Sequence, residues 1–250
     1  DLLSGGEDGV QLGERAVAVT GVSASLAEGE LEQAESLARL IGIRHVQLNT
    51  DELTNPAYAA NAPDRCFHCK TELYTRLAAT TERLAVAVIA NGTNADDLGD
   101  YRPGLAAADE FGVRSPLAEC GITKAEVRAL AAAWNLPVAE KPASPCLSSR
   151  IAYGQAVTPE RLQRIDRAEQ LVRSLGIDVC RVRCLAGDVA RIEVPIAAIP
   201  RIEEAKTFAM LSADLRSLGF RDVSIDAAGF RSGSLNEVLA LHQIASSPAE

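Results

Sequence analysis

Between residues 16 and 94, short apolar runs alternate with longer stretches patterned for helices, and this alternation limits the fold more than any other feature of the chain. Residues 16–20, "AVAVT", read as a buried strand. Residues 28–43 carry Leu31, Ala34, Leu37, Ala38 and Ile41 at helical spacing, with Gly42 where a helix cap belongs. Residues 44–50 read as a second strand, 70–84 as a helix, and 85–94 as a strand running into a Gly-containing loop. Residues 123–136 form a further helix, with Thr123 as N-cap and Glu126 three positions on, the capping-box pattern. Such alternation implies an α/β fold, a parallel sheet with helices on both faces. Ligands bind such sheets at the carboxyl ends of the strands, so the loops after "AVAVT" and "AVAVIA" are site candidates.

The pattern changes near residue 140. "EKPASPCLSSRIAYG" reads as a loop or linker, followed by helix 159–175, strands 179–185 and 189–194, helix 200–218 and strand 222–226. Two domains are therefore expected, residues 1–142 and a smaller α+β domain at 143–250. Trp134 is expected in the core. The net charge of -9 argues against a strong nonspecific grip on nucleic acid. The longest apolar run, residues 84–90, is too short to cross a membrane, and no signal peptide is visible at the start. Six scattered cysteines do not make a secreted disulfide scaffold. A reducing compartment, the cytoplasm, is expected, with the thiols serving as metal ligands or in chemistry.

Five constellations carry chemical potential. "LLSGGEDG" places Ser4, Gly5, Gly6 and Asp8 in the pattern of a pyrophosphate-binding loop, where glycines let backbone N–H groups cradle an anion and Asp8 helps hold magnesium. Only Gly9 to Arg15 separate Asp8 from the next strand, whereas a parallel crossover needs a dozen or more residues. "NGTNADDLGDYRPG" follows a strand, with Gly92, Thr93 and Asn94 suited to nucleotide and Asp96, Asp97 and Asp100 to magnesium; the alternative is an Asx-rich turn capping a helix. Cys66 and Cys69 form a Cys-x-x-Cys that can hold a metal, run a redox cycle or carry sulfur; His68 between them reads as a solvated loop residue before a ligand. Cys146 precedes Ser148, Ser149 and Arg150, a thiol beside an anion pocket. Arg181 and Arg183 share one strand face and suit a phosphate or carboxylates, or else a solvated edge. Cys120 falls in a turn, and Cys180 and Cys184 read as structural.

Taken in order, "DRCFHCK", "NGTNADDLGDYRPG", "KPASPCLSSRIAYG", "RVRCLAGDVARIEV" and "GFRSGSLNE" resemble the LarE family, ATP-dependent sulfur transferases of the PP-loop superfamily that build a nickel-pincer cofactor. The likeness runs from about residue 16 to 237. It implies a PP-loop ATP pyrophosphatase domain. It implies that ATP adenylylates a carboxylate of pyridinium-3,5-biscarboxylic acid mononucleotide and that a sulfur nucleophile then displaces AMP. In one branch of the family a single cysteine, here matching Cys146, gives up its sulfur; in another, three cysteines hold a [4Fe-4S] cluster. The chain resembles the second, with Cys66, Cys69 and Cys146. The resemblance also makes Ser149, Arg150, Arg181 and Arg183 candidates for the substrate's phosphate and carboxylates, with Glu169 and Glu193 acidic candidates beside them. It implies ATP and magnesium as cofactors, sulfide or a sulfur-donor protein as partner, and a homo-oligomer, a hexamer.

At the N-terminal loop the chain departs from the family, Gly9 standing where the final Ser of Ser-Gly-Gly-x-Asp-Ser is expected. Two other readings stand beside the first. One is a PP-loop tRNA thiolase, which the acidic charge disfavours. The other is a non-enzymatic metal-binding scaffold with a damaged ATP loop, supported by the short connection after Asp8.

Overall fold

Val17–Val22 (β1) and Arg44–Asn49 (β2) pair in parallel, with Val17 opposite Arg44 and Val22 opposite Asn49. The computed structural model describes residues 15–99 and 101–231. Glu30–Ile41 (α1) connects the two strands. It ends at Gly42, whose left-handed φ of 79° lets its N–H reach the Ala38 carbonyl. A hydrogen bond of 2.8 Å between Thr20 Oγ1 and His45 Nε2 ties the strands on one face.

Pro56–Ala59 (α2), Arg65–Ala78 (α3) and Thr81–Leu84 (α4) follow, then Pro103–Glu110 (α5), Pro116–Glu119 (α6) and Lys124–Ala133 (α7). Tyr74, Ala107, Ala108 and Val113 form a buried cluster between α3 and α5, joined by Phe67, Leu73, Ile89 and Phe111. Thr123 caps α7 with the full reciprocal box to Glu126 that the spacing implies.

Several expectations need correction. The helix expected from residue 70 starts at Arg65, so the Cys-x-x-Cys and His68 lie on a helix and not in a loop. Residues 85–94 are not a strand. Ala85 takes a left-handed φ of 55° at the end of α4, and among the described residues pairing is confined to one parallel bridge between Ala90 and Arg114. Among the described residues the parallel sheet thus has two strands. Trp134 is not core: it follows the last turn of α7 and is 52% exposed.

The second half begins with a 3-10 turn at Leu147–Arg150, followed by Pro159–Ser174 (α8), Arg181–Leu185 (β3) and Val189–Glu193 (β4). Ile199–Glu203 (α9), Ala205–Ser217 (α10) and Asp222–Ile225 (β5) complete it. The single helix expected at 200–218 is broken because Glu204 is extended and its carboxylate caps α10 by accepting the N–H groups of Lys206 and Thr207. β3, β4 and β5 form a sheet in that order, antiparallel then parallel. Leu162, Ile165, Ala168 and Val172 recur along α8 and are fully buried, as are Val182, Ile192, Ile202 and Leu215. Each large aliphatic side chain of this core contributes about 1.5–3 kcal/mol.

The chain divides into two compact units. The first runs to Tyr58 and from Asp64 to Lys141; the second takes Ala59–Pro63 and continues from Pro142. In the second unit the Ala59–Pro63 segment is pinned by Asn61, which is fully buried at φ 56° and donates from Nδ2 to the carbonyls of Ala152 and Gln155 at 2.9 Å.

Candidate functional site

Cys66 and Cys69 stand three positions apart in the first turns of α3, which puts both side chains on one face. Cys66 is exposed and Cys69 half-buried, and no cysteine is in a disulfide. Arg65 Nη2 approaches Cys66 Sγ at 3.9 Å, and His68 Nε2 lies 3.4 Å from Asp64. In the second unit Cys146 is exposed and immediately precedes the Leu147–Arg150 turn. The two thiols on one face of α3 and, in the second unit, the accessible thiol of Cys146 are each of the chemical type that ligates iron–sulfur clusters. Among the described residues no three His, Cys, Asp or Glu side chains form an assembled metal site.

Gly92, Thr93 and Asn94 form a turn after the Ala90 bridge. Asn91 Oδ1 accepts from Thr93 N at 3.0 Å, and Asn94 Oδ1 from Asp96 N at 3.1 Å. Asp97 accepts from Asn94 N at 3.1 Å and pairs with Arg102 at 2.7 Å. Asp96 accepts from Lys124 N at 2.8 Å through Oδ2, and its other oxygen has no partner among the described residues. Of the two, Asp96 is therefore the one with a coordination position to offer. Ser4, Gly5, Gly6, Asp8 and Asp100 lie outside the described residues, as does "SGSLNE" from Ser232.

A buried network of charges lies inside the second unit. A parallel bridge between Ile151 and Cys184 draws the Cys146–Arg150 turn against β3. Arg150 pairs with Glu169 of α8 at 2.9 Å, and Arg183 with Glu193 of β4 at 3.0 Å. Arg150 Nη1 also donates to Ser149 Oγ at 3.1 Å and to the Cys146 carbonyl at 3.2 Å. Arg183 Nη1 donates to the Ser149 carbonyl at 2.6 Å. Ser149, Arg150, Glu169, Arg183 and Glu193 are thus one hydrogen-bonded network. Arg181 and Arg183 are 4% and 1% exposed, so their shared face is no solvated edge. Burial, followed by repulsion from Arg183 and Arg150, pulls the Arg181 pKa down to about 10. Glu193 Oε2 is buried without a hydrogen-bond partner among the described residues.

Cys180 and Cys184 are buried, as expected of structural thiols. Burial, and next the Glu169 carboxylate, push the Cys180 thiol up to about 12; burial and then Asp188 raise that of Cys184. One contact in this region has no counterpart in the sequence reading: Phe230 lies against the Arg181 guanidinium, 4.6 Å from ring centroid to the guanidinium carbon. The only signal was its place in the "GFRSGSLNE" motif.

No protein-family model matches the chain. Among known proteins, one of Synechocystis whose function is uncharacterised is 46% identical over 91% of this chain and 85% of its own length. The pyridinium-3,5-bisthiocarboxylic acid mononucleotide synthase of Lactiplantibacillus plantarum is 37% identical, over 97% of this chain and 90% of its own length. An uncharacterised protein of Methanocaldococcus jannaschii is 28% identical over 77% of the chain. The end-to-end likeness to the synthase shows the relationship directly: the chain belongs to the LarE family of sulfur transferases.

Proposed function

We propose that the protein is an ATP-dependent sulfur transferase of PP-loop type that converts a carboxylate of pyridinium-3,5-biscarboxylic acid mononucleotide to a thiocarboxylate for a nickel-pincer cofactor. The observation that carries this reading is the near full-length identity to a protein named as the bisthiocarboxylate synthase. A carboxylate oxygen of the substrate attacks the α-phosphorus of ATP and pyrophosphate leaves. A sulfur nucleophile then attacks the acyl carbon and AMP departs with the original oxygen. Adenylylation is needed because a bare carboxylate offers no leaving group to sulfur.

On this reading Ser4, Gly5, Gly6 and Asp8, with Gly92, Thr93 and Asn94, hold ATP, while Asp8 and Asp96 serve magnesium, which would stabilise the departing pyrophosphate, and Asp97, expected beside them, holds the loop through Asn94 and Arg102. Arg181 is the primary anchor for the substrate's anionic groups, since Arg150 and Arg183 already have carboxylate partners. Cys66, Cys69 and Cys146 would hold a [4Fe-4S] cluster, which would supply the sulfur nucleophile, thiolates being the usual ligands of such clusters. Ser149 and Arg150 lie within four residues of Cys146, which sets that thiol beside the anion pocket. From the motif resemblance we further propose a cytoplasmic homo-oligomer, a hexamer, that takes its sulfur from sulfide or a donor protein. Among the described residues no helix is long and apolar enough to cross a membrane.

Nucleotide analysis tests the activation step. ATP incubated with the protein, magnesium and the mononucleotide should yield AMP and pyrophosphate, and yield neither when the mononucleotide is omitted. Release of ADP and phosphate, or cleavage indifferent to the mononucleotide, would reject the assignment.

A further inference from the structure

Arg181 is a buried cation of the second unit that forms no ion pair among the described residues. It is 4% exposed; Glu193, opposite it on β4, and Glu169 attract it, yet both carboxylates are ion-paired with other arginines. Its hydrogen bond to the Ala143 carbonyl is long, at 3.5 Å. Its neighbours Arg150 and Arg183 are both ion-paired. A buried guanidinium in this position lacks an oxyanion.

Phe230 is what holds it. The ring lies within cation–π range of the guanidinium. Its position is fixed by its own N–H and by the backbone leading into it. Phe230 N donates to the Val194 carbonyl at 2.8 Å, continuing the line of β4. Gly229 turns the chain at φ 71°, and a Cβ there would meet Ile196 Cγ1 at 2.8 Å and the Val194 oxygen at 3.0 Å. Gly229 N in turn bonds the Asp226 carbonyl at 2.9 Å, closing the turn after β5. A ring over one face of a guanidinium leaves its N–H edge as the donor surface, and that edge takes two oxygens in plane.

We infer that Phe230 is a positioning residue of the anion pocket, stacking on Arg181 so that its N–H edge is presented to two oxygens of a ligand phosphate or carboxylate. The inference rests on the anion-pocket reading given under the proposed function. It adds a residue to that pocket and a reason for Gly229. The pair Gly229-Phe230 aims the arginine, and the arginine binds.

Isothermal titration of the full chain with inorganic phosphate and, separately, with pyridine-3,5-dicarboxylate tests it and tells the two anion types apart. Phe230→Leu keeps apolar volume and removes the π face, and should weaken binding of the anion that Arg181 holds by about fivefold. Phe230→Tyr should restore it. In an Arg181→Lys background, Phe230→Leu should add little, because the ring acts through the guanidinium. Melting of each variant without anion shows whether it is folded, and Phe230→Met replaces Phe230→Leu if the latter is not. Equal affinity for both anions in wild type and Phe230→Leu, or the same loss in the Arg181→Lys background, would overturn the inference while leaving the pocket intact. Failure of the wild type to bind either anion would overturn the pocket reading, and the inference with it.

Discussion

Glu169 grips Arg150 with both carboxylate oxygens, Oε1 at 2.9 Å from Nε and Oε2 at 3.3 Å from Nη2, with both side chains out of solvent. The same carboxylate accepts from Arg173 at 2.9 Å and from Val182 N at 3.2 Å. It therefore ties the Cys146–Arg150 turn, α8 and β3 together. Glu169→Gln keeps the shape and leaves Arg150 buried with no counter-charge, so urea unfolding should show a loss of about 3–5 kcal/mol. Replacing both residues by apolar ones should cost less than Glu169→Gln alone. A loss under about 1 kcal/mol would place the pair among weak surface bridges and contradict its burial.

The six thiols should separate by reactivity. In folded protein prepared free of metal, alkylation at pH 8 should mark Cys66, Cys120 and Cys146, which are exposed, and spare Cys180 and Cys184 until the chain unfolds. The sign of the pH effect follows from Cys180, whose thiol is pushed from its ordinary 9.0 to about 12. Between those values the unfolded chain has lost a proton that the folded chain keeps. Stability therefore falls as pH rises from 9.0 toward 12. Peptide mass mapping checks the labelling, which Cys180 modified in the folded protein at pH 8 would contradict; urea unfolding at a series of alkaline pH values checks the stability, which a rise with pH would contradict.

Protein purified without oxygen should carry iron and acid-labile sulfide with the visible absorbance of a cluster, and alanine at any of Cys66, Cys69 or Cys146 should abolish both. Cys146 should keep its sulfur through repeated turnover with external sulfide. Stoichiometric zinc without sulfide would remove the cluster from the account. Dehydroalanine at position 146 after one turnover would make Cys146 itself the donor.

Legibility followed the range of the interactions. The ends of α1 and α7 could be read because Gly42 and the Thr123–Glu126 box act within one turn. The start of α3 at Arg65 was missed because Asp64 makes no side-chain cap to announce it. "AVAVIA" has strand composition, but a strand also needs a partner along its length, and among the described residues Ala90–Arg114 is the single bridge it makes. Trp134 looks apolar enough for a core, yet α7 buries none of its residues. In the site, Arg150, Arg181 and Arg183 were visible as residue types. That Glu169 and Glu193 claim two of them, and Phe230 the third, depends on contacts across 10 to 49 positions of chain, beyond any local pattern.

The most direct measurement is of the product. The protein, reduced and anaerobic, is mixed with ATP, magnesium, sulfide and pyridinium-3,5-biscarboxylic acid mononucleotide, and the mononucleotide is followed by mass spectrometry. The account predicts a mononucleotide in which oxygen of a carboxylate has been exchanged for sulfur, formed in step with AMP. An unchanged mononucleotide, from protein that holds its cluster and binds ATP, would contradict it.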